Sequence, residues 1–188
     1  IVMVGELRDF ETADVAINAA LTGHLVVSTI HTNSAAGAIP RFLAMGVKPF
    51  LLAPSLNAII GQRLVRRICE SCKAETEVDD QTKQKITDIL SKIPESSGEK
   101  VVDISSVTFY KGKGCETCNN IGYKGRLGIY EILIMSKEIE ERILSGKVSE
   151  YDMQDIAISQ GMVTMVQDGL LKVVDGITTV EEVFRVSE

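Results

Sequence analysis

The sequence predicts an α/β protein with a four-cysteine element in its middle and a mainly helical C-terminal region. Three observations support this class: a strand, helix, strand pattern at the start, four cysteines in two CxxC pairs, and a final stretch of short amphipathic segments separated by glycines. We divide the chain accordingly into residues 1–68, 69–118 and 119–188. Of its 188 residues, 45% are hydrophobic, which is ample for packed cores.

The first segment begins with IVMV, an apolar run typical of a buried parallel strand, and continues into Gly5 and Glu6. The stretch FETADVAINAALTG has apolar residues at helical spacing, and Gly23 is placed to end the helix. A second strand is predicted from Leu25 to Ile30. Such a unit is typical of a parallel sheet. Because a chain rarely begins inside a core strand, we expect the natural protein to continue upstream, so that this chain is a fragment.

The only two histidines, His24 and His31, flank this second strand. Their odd separation places them on opposite faces of a regular strand, so we do not expect them to share a metal. Glu6 and His31 both follow the carboxyl end of a parallel strand, where open α/β sheets bind ligands. Taken alone, Glu6 is more simply explained as an ordinary loop acid and His31 as a packed histidine. Their common position at one edge of the sheet indicates a site.

Charge is unevenly distributed along the chain. The net charge of −6 argues against nucleic acid as a partner. No acidic residue occurs between Thr32 and Cys69, whereas five basic residues do: Arg41, Lys48, Arg63, Arg66 and Arg67. This local charge indicates a phosphate or an acidic neighbour, and a merely solvated basic face explains it equally well.

The same basic region is predicted to be mainly helical, with breaks from Gly46 to Pro49 and at Pro54. A set of apolar residues has helical spacing and is predicted to face the core: Leu56, Ile59, Ile60, Leu64 and Val65. No apolar run reaches the ~20 residues of a transmembrane segment, and no signal peptide is recognisable. We therefore expect a cytoplasmic protein without a transmembrane segment.

The cysteines carry the most specific single motif. They form CESC and CETC, and two residues between thiolates let one tight turn direct both sulfurs at one ion. Two such turns complete a tetrahedral site, so Cys69, Cys72, Cys115 and Cys118 predict a structural zinc site. Thioredoxin-like redox pairs are the alternative interpretation, and iron stays open as the metal.

The polar segment between the two CxxC pairs is predicted to be a surface insertion held at its base by the metal. It includes apolar residues that suit one amphipathic helix: Ile86, Ile89, Leu90 and Ile93. Beyond it, RLGIYEILI predicts a strand, and four short helices follow. The last helix is predicted to begin with a capping box formed by Thr178 and Glu181.

Four blocks of the sequence, in order, resemble the secretion ATPase superfamily, specifically the type II secretion and type IV pilus assembly motors. The blocks are VGELRDFETADVAINAALTGHLVVSTIHTN, GQRLVRRICESC, GCETCNNIGYKGRLGIYEIL and GMVTMVQDGLLKVVDGITTVEEVFRV. The final helices are nearer to the pilus-assembly branch. The resemblance implies a cytoplasmic homo-hexamer with a RecA-like P-loop core that uses ATP and Mg²⁺. It also implies a position peripheral to the inner membrane, through an inner-membrane platform protein.

The resemblance assigns roles only where residues match. Glu6 matches the Walker B glutamate and His31 the second histidine of the histidine box, which implies a catalytic pair. His24 matches the first histidine, with a more structural role. Gly5 stands where many P-loop enzymes carry a magnesium-binding aspartate, and we assign Arg63, with Gly5 and His24, to the nucleotide-associated residues.

The phosphate-binding motif GxxxxGKS/T does not occur in the sequence. We therefore do not expect this chain to hydrolyse ATP by itself. Two hypotheses follow. The first is the C-terminal part of a motor ATPase, for pilus assembly or for protein secretion. The second is a free-standing zinc-binding interaction module without ATPase activity.

Overall fold

The computed structural model describes residues 1–100 and 102–187. The contacts divide the chain into two compact units, and each unit combines two stretches of sequence. The first unit contains residues 1–61 and 132–162, and the second contains residues 62–131 and 163–188. Our division into three consecutive segments followed motifs along the chain and stays a prediction.

The first unit begins with the predicted strand, helix, strand pattern. Strand β1 is Val2–Met3, helix α1 is Phe10–Leu21, and strand β2 is Val26–Val27. The two strands pair in parallel, as predicted. Asp9 caps α1 by accepting a hydrogen bond from the backbone N–H of Thr12 at 2.9 Å.

The second strand is shorter than the predicted range from Leu25 to Ile30. Beyond it, single backbone hydrogen bonds continue the pairing, from Val4 N to Val27 O at 3.0 Å and from Leu7 N to Thr29 O at 2.8 Å. These bonds keep the two chains adjacent after the regular ladder ends. They therefore hold the segment after β1 against the segment after β2.

Four further helices complete the first unit. They are α2 (Ala38–Ala44), α3 (Pro49–Leu52), α5 (Lys137–Leu144) and α6 (Glu150–Ser159). The core of the unit draws on all of them, and its largest fully buried side chains are Ile39, Leu52, Leu133, Ile139, Ile143 and Met153. Helices from the C-terminal part of the sequence thus pack in one core with the N-terminal strands.

The predicted helix around Leu56–Val65 is wrong, because this segment is strand β3, Ala58–Ile68. It pairs with strand β6, Tyr123–Ile134, which was predicted as a strand. Ile60 is 63% exposed and Val65 is fully buried. The two residues are an odd number of positions apart, so in a strand they point to opposite faces, in agreement with this difference in exposure. The β-branched content of the segment favours the strand.

Over its described residues, 62–100, 102–131 and 163–187, the second unit contains an antiparallel strand pair and three α-helices. Strand β4 (Lys73–Thr76) pairs with β5 (Phe109–Gly112), and the helices are α4 (Asp80–Leu90), α7 (Met165–Val174) and α8 (Val180–Ser187). The amphipathic helix predicted in the polar segment is α4. The interpretation of that segment as a surface insertion is wrong, because Ile86 and Leu90 are buried in the core with α7 and α8. An apolar helix face must be covered, and these helices cover it.

The capping box predicted for the last helix from Thr178 and Glu181 is wrong, and a single N-cap hydrogen bond lies one residue later. Thr179, rather than Thr178, accepts the hydrogen bond from the backbone N–H of Glu182, at 3.4 Å. Thr178 instead donates its hydroxyl to the carbonyl oxygen of Arg66 at 2.8 Å. The predicted partner, Glu181, is exposed. Sequence spacing alone allowed both registers.

Glu182 is buried between two arginines, and this arrangement explains part of the basic region. Its carboxylate accepts hydrogen bonds from Arg66 Nη2 at 2.6 Å and from Arg185 Nη2 at 2.8 Å. Arg66 also lies over the ring of Tyr123, 4.2 Å from the ring centre. The acidic neighbour expected from the charge pattern is therefore present for Arg66. Burial opposes ionisation of Glu182, yet the hydrogen bonds from Arg66 and Arg185 lower its pKa to about 2.

We expect Glu182→Gln to destabilise the second unit by about 2 kcal/mol at pH 7. This value is low for the loss of a buried ion pair, because both arginines are half exposed and can be hydrated by water instead. Since folding lowers the pKa of Glu182 from 4.5 to about 2, its stabilisation is complete above pH 4.5 and declines as the pH falls towards 2. The measurement is urea unfolding of both proteins at pH 7 and pH 3. Glu181→Gln, which alters an exposed acid on the same helix, is the control. A difference that grows at pH 3 would contradict this prediction.

Among residues 1–100 and 102–187, none of the helices combines the length and the apolar character that a membrane span requires.

Candidate functional site

The first candidate site lies where the segments after β1 and β2 run side by side. Glu6 Oε1 is 2.9 Å from His31 Nε2, and Glu6 Oε2 is 2.6 Å from Arg8 Nη2. The structure thus brings together Glu6 and His31, which the sequence placed at one edge of the sheet. Backbone pairing from Leu7 to Thr29 explains this proximity, because it holds the two segments in register.

The electrostatics of this pair favour an ionised carboxylate. The hydrogen bond from Arg8 lowers the pKa of Glu6, burial opposes this shift, and the charges of Arg8 and His31 add to it. The His31 side chain is 87% exposed, whereas that of Glu6 is 21% exposed. A half-enclosed carboxylate therefore faces an accessible imidazole, which is an arrangement suited to orienting a water molecule or an anion.

These residues border a cleft of about 300 Å³, lined by Glu6, Leu7, Arg8, His31 and Arg41. The sequence patterns did not assign Arg8 to the site, and they included Arg41 only in the basic region. The position of Arg8, two residues after Glu6 in extended chain, was a usable signal because such residues share a side. Arg41 lies on α2, and only the fold places it beside Glu6.

The three residues predicted to be nucleotide-associated occupy different places. The carbonyl of Gly5 accepts a hydrogen bond from Thr29 Oγ1 at 2.8 Å, directly before Glu6. His24 Nδ1 lies 3.1 Å from the carbonyl oxygen of Ala19, at the end of α1, and His24 does not line the cleft. Arg63 lies on β3 in the second unit, so its assignment stays a prediction.

The second candidate site is the cluster of four cysteines. Their sulfur atoms all lie within 4.8 Å of one another, as the spacing of the two CxxC pairs predicted. Individual Sγ–Sγ distances are 3.9 Å for Cys69 and Cys115, 3.8 Å for Cys72 and Cys118, and 3.7 Å for Cys115 and Cys118. These distances exceed the ~2.05 Å of a disulfide and leave room for one ion at the centre. The cluster is a candidate metal centre.

The backbone around the cysteines supports such a centre. Cys118 Sγ accepts hydrogen bonds from the backbone N–H groups of Cys115 at 3.2 Å and Gly122 at 3.3 Å. Burial opposes its ionisation, yet these bonds lower the pKa of Cys118 to about 6. Burial raises the pKa of the Cys72 thiol to about 12. Donors directed at a sulfur stabilise the thiolate form that binds metals.

Two glycines let the chain close around the cluster. A Cβ atom on Gly112 would lie 1.9 Å from the carbonyl oxygen of Gly122, which no side chain tolerates. Gly122 has a φ of +77°, a conformation that favours glycine. The backbone before the second CxxC pair and the backbone after it therefore meet in direct contact.

Comparison with known proteins shows the family of this chain. Residues 1–185 match the model of the type II/IV secretion system protein family, and the chain belongs to this family. The family expected from the four sequence blocks is thus confirmed. The structure is also similar to the X-ray structure of the Legionella pneumophila ATPase DotB, with a TM-score of 0.60 and 19% identity over 98% of this chain and 37% of that chain. This likeness concerns the fold.

Two curated relatives represent the two branches. The type IV pilus assembly ATPase PilB of Thermus thermophilus is 47% identical over 183 residues, covering 97% of this chain and 19% of the relative. The type II secretion system ATPase E of Vibrio cholerae is 43% identical over 188 residues, covering 100% of this chain and 34% of the relative. The chain therefore spans between about a fifth and a third of the length of these relatives.

Proposed function

We propose that this chain is the C-terminal part of a hexameric cytoplasmic ATPase that powers type IV pilus assembly or type II protein secretion. The observation that carries the proposal is the Glu6 carboxylate held between Arg8 and His31 beside a cleft that Arg41 also lines. Membership of the secretion family and the names of the relatives support it. Residues 1–68 then form half of a RecA-like P-loop core, 69–118 the zinc element and 119–188 the helical region.

In this proposal, Glu6 orients and polarises the water that attacks the terminal phosphate of ATP. Arg8 keeps the carboxylate ionised and in place, because its guanidinium binds one carboxylate oxygen. His31, exposed at the mouth of the cleft, hydrogen-bonds the terminal phosphate, and Arg41 adds positive charge on the same side. His24 fixes the turn after α1 and has a structural role.

Magnesium would reach this cleft with the nucleotide, where it neutralises phosphate charge. Glu6 is the only carboxylate among the lining residues, and both of its oxygens have partners within the site. The position of Gly5 offers no ligand, and a Cβ there would meet nothing within 4 Å. These residues fit an ion that is held through water molecules and phosphate rather than by several carboxylates.

Zinc is the proposed occupant of the cysteine cluster. A tetrahedral site with Zn–S bonds of about 2.3 Å places its sulfurs about 3.8 Å apart. The three Sγ–Sγ distances given above lie between 3.7 and 3.9 Å. Four thiolates without an open position define a structural site. The proposed partners of the whole protein are further copies of itself, in a hexamer, and an inner-membrane platform protein to which it is peripheral.

The division of the nucleotide site between this chain and an upstream P-loop is directly testable. We expect no measurable binding of ATP to the 188-residue chain in the micromolar range, because the chain lacks the glycine-rich loop that binds phosphates. A longer protein with GxxxxGKS/T upstream of Ile1 should bind and hydrolyse ATP. Isothermal titration calorimetry of both proteins is the measurement. Micromolar binding by the 188-residue chain would refute this placement, and a natural protein without a P-loop would favour the zinc-binding interaction module.

A further inference from the structure

The loop that follows His31 is joined to helix α6 by one hydrogen bond between residues 116 positions apart in the sequence. Ser34 Oγ donates to Glu150 Oε1 at 2.5 Å, and the same hydroxyl accepts from the backbone N–H of Gly37 at 3.0 Å. The hydroxyl therefore uses its donor and an acceptor position at once, which fixes its orientation. Because the acceptor is a carboxylate, the bond to Glu150 belongs to the stronger class of hydrogen bonds.

Glycine at position 37 is favoured by the limited space around it rather than by its backbone conformation. Its φ is −67°, which any residue adopts. A Cβ at this position would lie 3.2 Å from the carboxyl carbon of Glu150 and 3.2 Å from Ser34 Oγ. The absence of a side chain at Gly37 therefore lets the loop come close to the Glu150 carboxylate.

The position of the His31 ring depends on this loop. The ring is largely exposed and contacts Glu6, and residues 28–32 belong to no helix or strand. Downstream, Thr32 Oγ1 donates to the carbonyl of Ser34 at 2.8 Å, and Ala35 is buried. The backbone that carries His31 is therefore held by the Leu7–Thr29 pairing before it and by the contacts of the loop after it, rather than by packing of the ring itself.

Helix α6 provides a firm support for these contacts. Met153 is fully buried in the core of the first unit, and Asp152 forms an ion pair with Arg142 of α5 at 2.7 Å. Ser149 caps the helix by accepting from the N–H of Asp152 at 3.1 Å. Glu150, in the first turn, is thus presented to the loop from an anchored element.

We propose that Glu150 is a positioning residue, which sets the place of His31 beside Glu6 through Ser34. The inference deepens the proposed function, because it rests on His31 acting at the phosphate site. It also links that site to a helix that lies more than a hundred residues away in the sequence. Glu150 acts through the loop and is not one of the residues that line the cleft.

The test uses NMR of the protein, with amide hydrogen exchange of Gly37 and the ring ¹⁵N signals of His31 as readouts. We expect Glu150→Ala to accelerate exchange at Gly37 about tenfold, as expected for losing a charge-assisted hydrogen bond, and to shift the His31 ring signals. Glu150→Gln keeps an acceptor oxygen for Ser34 and should restore most of both readouts. Glu11→Ala removes an exposed acid from the first turn of α1 and should change neither.

Two results would overturn the proposal. One is a Glu150→Ala protein whose Gly37 exchange and His31 signals match those of the wild type. The other is a Glu150→Gln protein that resembles Glu150→Ala, because the effect would then follow charge and not the hydrogen bond. Neither readout requires ATP, so a failure here is separate from a failure of the ATPase assignment. In a P-loop-containing protein, Glu150→Ala should lower kcat while leaving nucleotide affinity unchanged.

Discussion

Cys115→Ser is expected to remove the metal and abolish the cooperative unfolding transition of the second unit. A structural zinc can contribute on the order of 10 kcal/mol of folding free energy, and the four cysteines join the segments on either side of α4. The measurement combines zinc content of freshly purified, reduced protein with thermal unfolding. Chelation of the wild-type protein should reproduce the effect. Less than half an equivalent of zinc in the wild-type protein would contradict the assignment.

A second variant separates the geometry of the site from the loss of a ligand. Gly112→Ala keeps all four thiols but places a methyl group against the carbonyl of Gly122, so the two segments must separate. We expect weaker zinc retention against a chelator. Gly5→Ala is the matched control, since a Cβ there meets nothing within 4 Å. Equal zinc retention in the two glycine variants would show that the close approach does not hold the site together.

Glu6→Gln is expected to lower ATP turnover by on the order of 10²-fold or more in a protein that contains the P-loop. Glutamine preserves the shape of the side chain and one acceptor oxygen for Arg8, but it removes the negative charge that polarises water. Nucleotide affinity should change little, because Glu6 acts mainly in the transition state. Steady-state kinetics and equilibrium nucleotide binding on the same preparation are the measurements.

The matched control for this variant is Glu11→Gln, which neutralises an exposed acid on α1 outside the cleft. It should leave both turnover and affinity at wild-type values. Normal turnover in Glu6→Gln would refute the catalytic assignment. A loss of nucleotide binding that matches the loss of turnover would instead assign Glu6 to binding.

Local sequence patterns were sufficient wherever one short segment determines its own structure. The CxxC spacing predicted a cluster that the structure contains, because two residues between cysteines fix the direction of both sulfurs. Helical spacing and glycines at helix ends predicted α1, α4 and the four C-terminal helices, since these signals act within one or two turns. The approach of His31 to Glu6 also followed from a local rule, the common edge of parallel strands.

The predictions that failed concern segments whose structure depends on distant parts of the chain. The spacing of apolar residues in β3 also suits a helix, and the pairing with β6 makes this segment a strand. The polar composition around α4 predicted a surface element, whereas α7 and α8 cover the apolar face of this helix. In each case the partner lies far away in the sequence, and a local window contains no information about it.

The sequence alone therefore determined the family, the cluster of four cysteines and the pair formed by Glu6 and His31. The tertiary structure decided which distant residues complete these sites: Arg41 in the cleft, Glu182 for Arg66, and Glu150 for the loop after His31. The physical reason is that hydrogen bonds and ion pairs need atoms within about 3 Å, and chain folding, not sequence distance, sets that proximity. Two units that each combine separate stretches of chain make such contacts possible.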